Sequence, residues 1–147
     1  MIAKRMLLLA TLIALGLILP LAADQCGTGT MKGVYAFSGS GLDVVRKAGN
    51  PSSGQIFAPV LFFGTARFGG DGLLSGAFTA SGNGHRENAA PFKGAYVVNA
   101  DCTGSLAVIE NDGHESHFSM TISDSGKEIL AMQTDAGAER PFLIKKQ

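Results

Sequence analysis

The stretch GAYVVNADCTGSLAVIENDGHESHFSMTISDSG, Gly94 to Gly126, decides the fold class. Its three apolar runs are separated by Ala100-Asp101-Cys102-Thr103-Gly104 and Asn111-Asp112-Gly113 and closed by Asp124-Ser125-Gly126. Gly, Asn and Asp tolerate positive φ, so each of these groups can reverse a strand. In HESHFSMTIS the set Ser116, Phe118, Met120, Ile122 alternates with the polar set Glu115, His117, Ser119, Thr121. A period of two is the signature of a strand with one buried face, and it excludes a helix here.

The same punctuation recurs on both sides, at Gly70-Asp71-Gly72, Gly82-Asn83-Gly84 and Asp135-Ala136-Gly137. Reading between turns gives eight candidate strands. They run near Gly33 to Ser38, Ile56 to Phe68, Leu73 to Ser81, Arg86 to Val98, Ser105 to Asn111, His114 to Ser123, Lys127 to Thr134 and Glu139 to Lys145. Seven of them follow one another through short reversals, which describes an antiparallel meander. Eight is also the number that closes a small barrel around a packed or ligand-sized interior. The expected fold is therefore an all-β, eight-stranded antiparallel up-and-down barrel, with an open two-sheet sandwich as the alternative. A weak echo, GVYAFSGSG at Gly33, GTARFGGDG at Gly64 and GAYVVNADCTG at Gly94, fits a hairpin pitch or simple likeness between strands.

One connection is long: GSGLDVVRKAGNPSSGQ, Gly39 to Gln55. Such a length predicts a loop, functional or merely flexible. A single helical turn at Leu42 to Lys47 and a position over one barrel mouth are the expectations for it.

The chain opens with Lys4 and Arg5 ahead of an apolar run from Met6 to Leu19, then Pro20 and small residues to Ala23. This is the layout of a secretory signal. The run is shorter than the roughly 20 residues of a membrane span. Cleavage after Ala23 is expected, an uncleaved anchor being the alternative, so that residues 1–23 form the signal and 24–147 a single domain. Export to the periplasm or beyond follows, with no membrane attachment after cleavage. Twelve basic residues balance twelve acidic ones, and loss of Lys4 and Arg5 leaves a slight acidic excess without runs of either sign. Nucleic acid is accordingly not an expected partner.

The two cysteines, Cys26 and Cys102, lie in the exported part, where an even count reads as a disulfide. It would staple the N-terminal tail to the turn holding Cys102. Two free thiols are the alternative, though neither cysteine has a metal-ligand spacing.

The chemical motifs are sparse. HESH at His114 to His117 places its histidines on opposite faces of a strand, His114 inward and His117 outward, so no metal site is expected. GSGLDV lacks the third glycine and the βαβ setting of a dinucleotide fingerprint. No Gly-x-Ser-x-Gly elbow exists, single-acid turns lack repeated calcium ligands, and no cofactor is expected. Glu110 shares strand parity with Leu106 and Val108. If that face lines the interior, desolvation at a barrel mouth would raise its pKa toward that of a general acid or base. The competing reading is a strand-end glutamate in water. Tyr35, Tyr96, Phe118 and Met120 are the candidate wall residues for an apolar ligand, or else ordinary core. Leu61 and Phe63 oppose Val60, Phe62 and Phe68, and Leu130 and Met132 oppose Ile129 and Ala131. Strands apolar on both faces predict a homo-oligomer or a covering loop.

Four segments in order carry a family likeness: G-x-Y-x-F at Gly33, F-x-x-D-G-x-x-x-G at Phe68, G-x-Y-x-V-N-x-D-C-T-G at Gly94, and D-S-G-K-E-I … Q-T-D from Asp124 to Asp135. The set resembles a group of uncharacterised exported bacterial and fungal proteins, similar in turn to the allene oxide cyclase and dirigent type of barrel. The resemblance implies a calycin-like barrel with a hydrophobic cavity and, in characterised relatives, trimers. It carries no catalytic residue onto this chain. Three functions follow as expectations: a secreted barrel binding an apolar or amphipathic small molecule, a cyclase or isomerase confining a reactive intermediate near Glu110, or a filled barrel with a structural or surface-interaction role.

Overall fold

Alternating inward and outward side chains build eight strands: β1 Lys32–Val45, β2 Ile56–Gly69, β3 Leu73–Gly82, β4 His85–Val98, β5 Thr103–Glu110, β6 Glu115–Ser123, β7 Glu128–Gln133 and β8 Pro141–Lys146. The computed structural model describes residues 25–45, 56–138 and 140–147. The expected signal, residues 1–23, and residues 46–55 of the expected loop lie outside the described residues. Each strand pairs antiparallel with the next, and β8 returns to β1 through Tyr35↔Lys146 and Gly39↔Phe142, which closes the barrel. Closure removes the unpaired edges that an open sheet would leave.

Two expectations about the first connection are corrected. β1 does not end at Ser38 but continues to Val45, paired with β2 out to Val45↔Ile56. Leu42 to Val45 therefore belong to a strand and not to a helical turn; Arg46 and Lys47 lie outside the described residues. The β1–β8 ladder stops at Gly39 and the β2–β3 ladder begins at Val60. The β1–β2 hairpin thus runs on past the point where its neighbours cease to pair with it.

Glycine at inward positions lets the wall curve tightly. Gly76 stands opposite Phe92, and a Cβ there would lie 2.5 Å from Phe92 Cζ. Gly64 stands between Phe37 and Phe78 in the two flanking registers, and a Cβ on it would come within 2.8 Å of Phe37 Cζ. In both cases a ring from the next strand lies across the glycine.

One end of the barrel is sealed. A single 3-10 turn, Thr28–Thr30, leads into Met31, which is fully buried among Tyr35, Phe68, Tyr96 and Ile129. Tyr96 donates its hydroxyl to Met31 O at 2.8 Å and accepts from Gly70 N–H at 2.9 Å. Tyr35 donates to Gly126 O at 2.7 Å. The rings of Tyr35 and Tyr96 meet Phe68 edge-on, at 5.0 and 5.2 Å. The disulfide joins Cys26 to Cys102 in the β4–β5 turn, with their Cα atoms 4.9 Å apart and 76 positions apart in sequence. Cys102 adopts φ 64°, so the turn does use a left-handed residue. Closing so long a loop stabilises the fold by about 4–5 kcal/mol in the chain-entropy account.

The outward face of β2, β7 and β8 carries an apolar patch. Leu61, Phe63, Leu130 and Met132 are each more than half exposed, with Leu143 between them and Ser38, Gly39 and Ser40 forming a shallow trough.

Candidate functional site

At the end opposite the tyrosine plug the interior is not filled. A cavity of about 90 Å³ lies there, its lining made up in part of Phe68 at the plug side and six further phenylalanines: Phe37, Phe62, Phe78, Phe92, Phe118 and Phe142. These six come from six different strands because inward parity selects them on each. Phe142 contacts three of the others, with centroids 6.2 Å from Phe37, 5.8 Å from Phe62 and 5.4 Å from Phe118. Such tilted and edge-on pairs hold the rings against the wall. Ala66 and Ala131 face the same space. Their small side chains leave the volume that larger residues would occupy.

The polar groups converge on one side. Glu110 ends β5, Ser116 lies on β6 and Gln133 ends β7, and all three line the cavity together with Arg140. Glu110, Gln133 and Arg140 also line the wider depression into which the cavity opens, where the β3–β4, β5–β6 and β7–β8 turns meet. Arg140 holds its guanidinium 5.0 Å over the Phe62 ring, a cation–π contact. Burial pushes the Glu110 carboxyl up; the charges of His114 and Arg140 pull the other way, while those of Asp112 and Glu87 add to the rise.

Behind this wall a hydrogen-bond network reaches the outer surface. Gln133 Nε2 donates to Asp135 Oδ2 at 2.8 Å and to Ser116 Oγ at 3.4 Å. Asp135 also accepts from His117 N–H at 2.8 Å and pairs with His117 Nδ1 at 2.8 Å. Those bonds, led by the Gln133 amide, hold the Asp135 carboxyl at about 2. The Asp135 partner in turn raises His117.

The sequence-derived candidates divide by height along the barrel. Glu110 and Phe118 line the cavity. Tyr35, Tyr96 and Met120 are buried in the core, with both tyrosine hydroxyls bonded to the sealing segments and none of the three among the cavity lining. His114 lies at the open rim and His117 on the outside, bonded to Asp135. Sequence reasoning missed Gln133 and Arg140. Gln133 was findable: it follows Ile129 and Ala131 at strand parity.

Fold and site together define a closed eight-stranded barrel, sealed at one end and holding a phenylalanine-lined cavity with a polar side at the other. No protein-family model matches the chain, and no curated protein does. Among solved structures it is similar to one described as a de novo design of a fluorescence-activating β-barrel, at 12% identity and a TM-score of 0.52, over 82% of this chain and 96% of that one. At that identity the likeness shows the barrel fold alone.

Proposed function

We propose that the protein is an exported binding barrel that takes up an amphipathic small molecule, with the apolar part among the phenylalanines and the polar end beside Glu110, Ser116, Gln133 and Arg140. The observation that carries this reading is the open end: seven phenylalanine rings stand around space instead of filling it. A dry apolar cavity of about 150 Å³ binds benzene; one of about 90 Å³ suits a hydrocarbon chain, whose remainder extends into the depression outside. Export is supported by the disulfide, a bond that persists in oxidising compartments. The exposed apolar patch on β2, β7 and β8 supports assembly with further copies of the chain.

The test is displacement of a fluorescent lipid probe by alkyl compounds. Wild-type protein is expected to bind the probe saturably, whereas Ala131→Phe, which fills the cavity from β7, is expected to lose it. Equal binding by both proteins rejects the cavity as the site. A second reading, a cyclase or isomerase in which Glu110 steers charge, draws on the raised Glu110 carboxyl. Unchanged turnover in Glu110→Gln, once a substrate is in hand, excludes it.

A further inference from the structure

Gln133 is 6% exposed and Ser116 5%, and both face the cavity on the side where Glu110 and Arg140 also line it. A buried amide forfeits free energy for every hydrogen bond left unmade. The two ends of the Gln133 amide differ. Its Nε2 is engaged by Asp135 and Ser116. No hydrogen bond reaches its Oε1 among the described residues.

Chemistry fixes which end faces which way. Asp135 is ionised and can only accept, so the atom 2.8 Å from its Oδ2 must be the donor nitrogen. Asp135 is itself held in this position from the other side, by the backbone N–H and ring of His117. A flipped Gln133 would set its carbonyl oxygen against a carboxylate. The carbonyl is therefore the end left for a ligand, and it is an acceptor. Glu110 adds a second acceptor at the mouth, with no hydrogen bond to its carboxylate among the described residues. Arg140 is the donor at the same mouth, its guanidinium stacked on Phe62.

We infer that Gln133 determines the polar specificity of the cavity: its carbonyl oxygen accepts a hydrogen bond from a hydroxyl or N–H on the end of an amphipathic ligand, with Asp135 as the positioning residue that fixes the amide. The inference rests on the binding reading above and narrows it. Alcohols, amines and amides fit this site, whereas ethers and esters of the same size leave the Gln133 carbonyl buried without a donor.

Two isomers test this, 1-octanol and 1-methoxyheptane, which have the same atoms and nearly the same length but differ in the donor. Calorimetric titration of the purified protein is expected to give roughly tenfold tighter binding of the alcohol, the scale of one buried hydrogen bond and the penalty of leaving its acceptor bare. In Gln133→Met the preference is expected to vanish through loss of alcohol affinity, with ether affinity kept, which also shows that the variant folds. In Asp135→Asn, where either amide end can face Gln133, the alcohol-to-ether ratio is expected to fall toward one while total apolar affinity stays. A purely structural role for Asp135 would lower both affinities together and leave the ratio unchanged, which overturns its positioning role. Equal binding of the two isomers by the wild type overturns the inference and leaves the cavity reading intact. Tighter binding of octanoate than of 1-octanol also overturns it, since Arg140 would then be the anchor. Binding of none of the three rejects the cavity reading itself.

Discussion

Tyr35 has no exposed surface, and its hydroxyl is committed to Gly126 O in the β6–β7 turn. Tyr35→Phe keeps the ring and removes the donor, so a buried carbonyl loses its partner. The expected cost is roughly 1–3 kcal/mol in urea unfolding, with probe affinity unchanged because the residue sits at the sealed end. Glu110 behaves in the opposite sense. Burial raises its carboxyl, so the folded protein holds that proton more tightly than the unfolded chain does. Its contribution to stability is then full below the unfolded carboxyl pKa and is lost as pH rises through the folded one. Asp135, held at about 2, contributes stability above the ordinary carboxyl range that is lost as pH falls toward that value. Glu110→Gln is therefore expected to raise the melting temperature at pH 7 and leave it unchanged at pH 4 and below; a lower melting temperature at pH 7 contradicts the burial account. Parity made the inward direction of Glu110, Tyr35, Tyr96, Phe118 and Met120 legible in the sequence. Their height along the barrel axis was not, because it depends on the register of every ladder at once. That is why plug and cavity residues were grouped as one wall, and why Gln133 went unremarked among apolar neighbours.

Among the strands, turn chemistry marked most boundaries. Asn111-Asp112-Gly113 and Asn83-Gly84 fall between strands as their positive-φ residues require, with Asn83, Gly84 and Gly113 all at positive φ. β1 was read too short because SGSGLDVV holds the small and polar residues that usually mark a loop. Pairing with β2 keeps it extended, a tertiary contribution that no local pattern announces. Strand-interior glycines carried a second message. At Gly76 a Cβ would meet the Phe92 ring as well as the Thr65 carbonyl, so curvature and ring packing need the same vacancy. Gly76→Ala is expected to destabilise by about 1–3 kcal/mol, the usual cost of overpacking. At an ordinary strand position the same change would be neutral or favourable, and such a result in urea unfolding would show that the ring and the glycine are not coupled.

For the whole molecule, closure, the plug and the disulfide cover one end of the barrel, and Leu61, Phe63, Leu130, Met132 and Leu143 form an exposed apolar patch on its outside. Monomers rarely expose contiguous apolar patches beyond a few hundred Å². The protein is expected to sediment as an oligomer at micromolar concentration, and Leu61→Glu with Phe63→Glu to return it to a monomer; a wild-type monomer at every concentration removes this partner. The alternating pattern was enough for the barrel class, while the balance between a filled and a hollow interior was set by which inward positions hold alanine. Ala66 and Ala131 are small where a solid core would be large. The most direct measurement is therefore solvent extraction and mass spectrometry of protein purified under native conditions, wild type beside Ala131→Phe. The account predicts a stoichiometric amphipathic compound carrying a hydroxyl or N–H in the wild type and none in the variant. Clean wild-type protein that also takes up no alkyl probe, or the same compound in both, contradicts it.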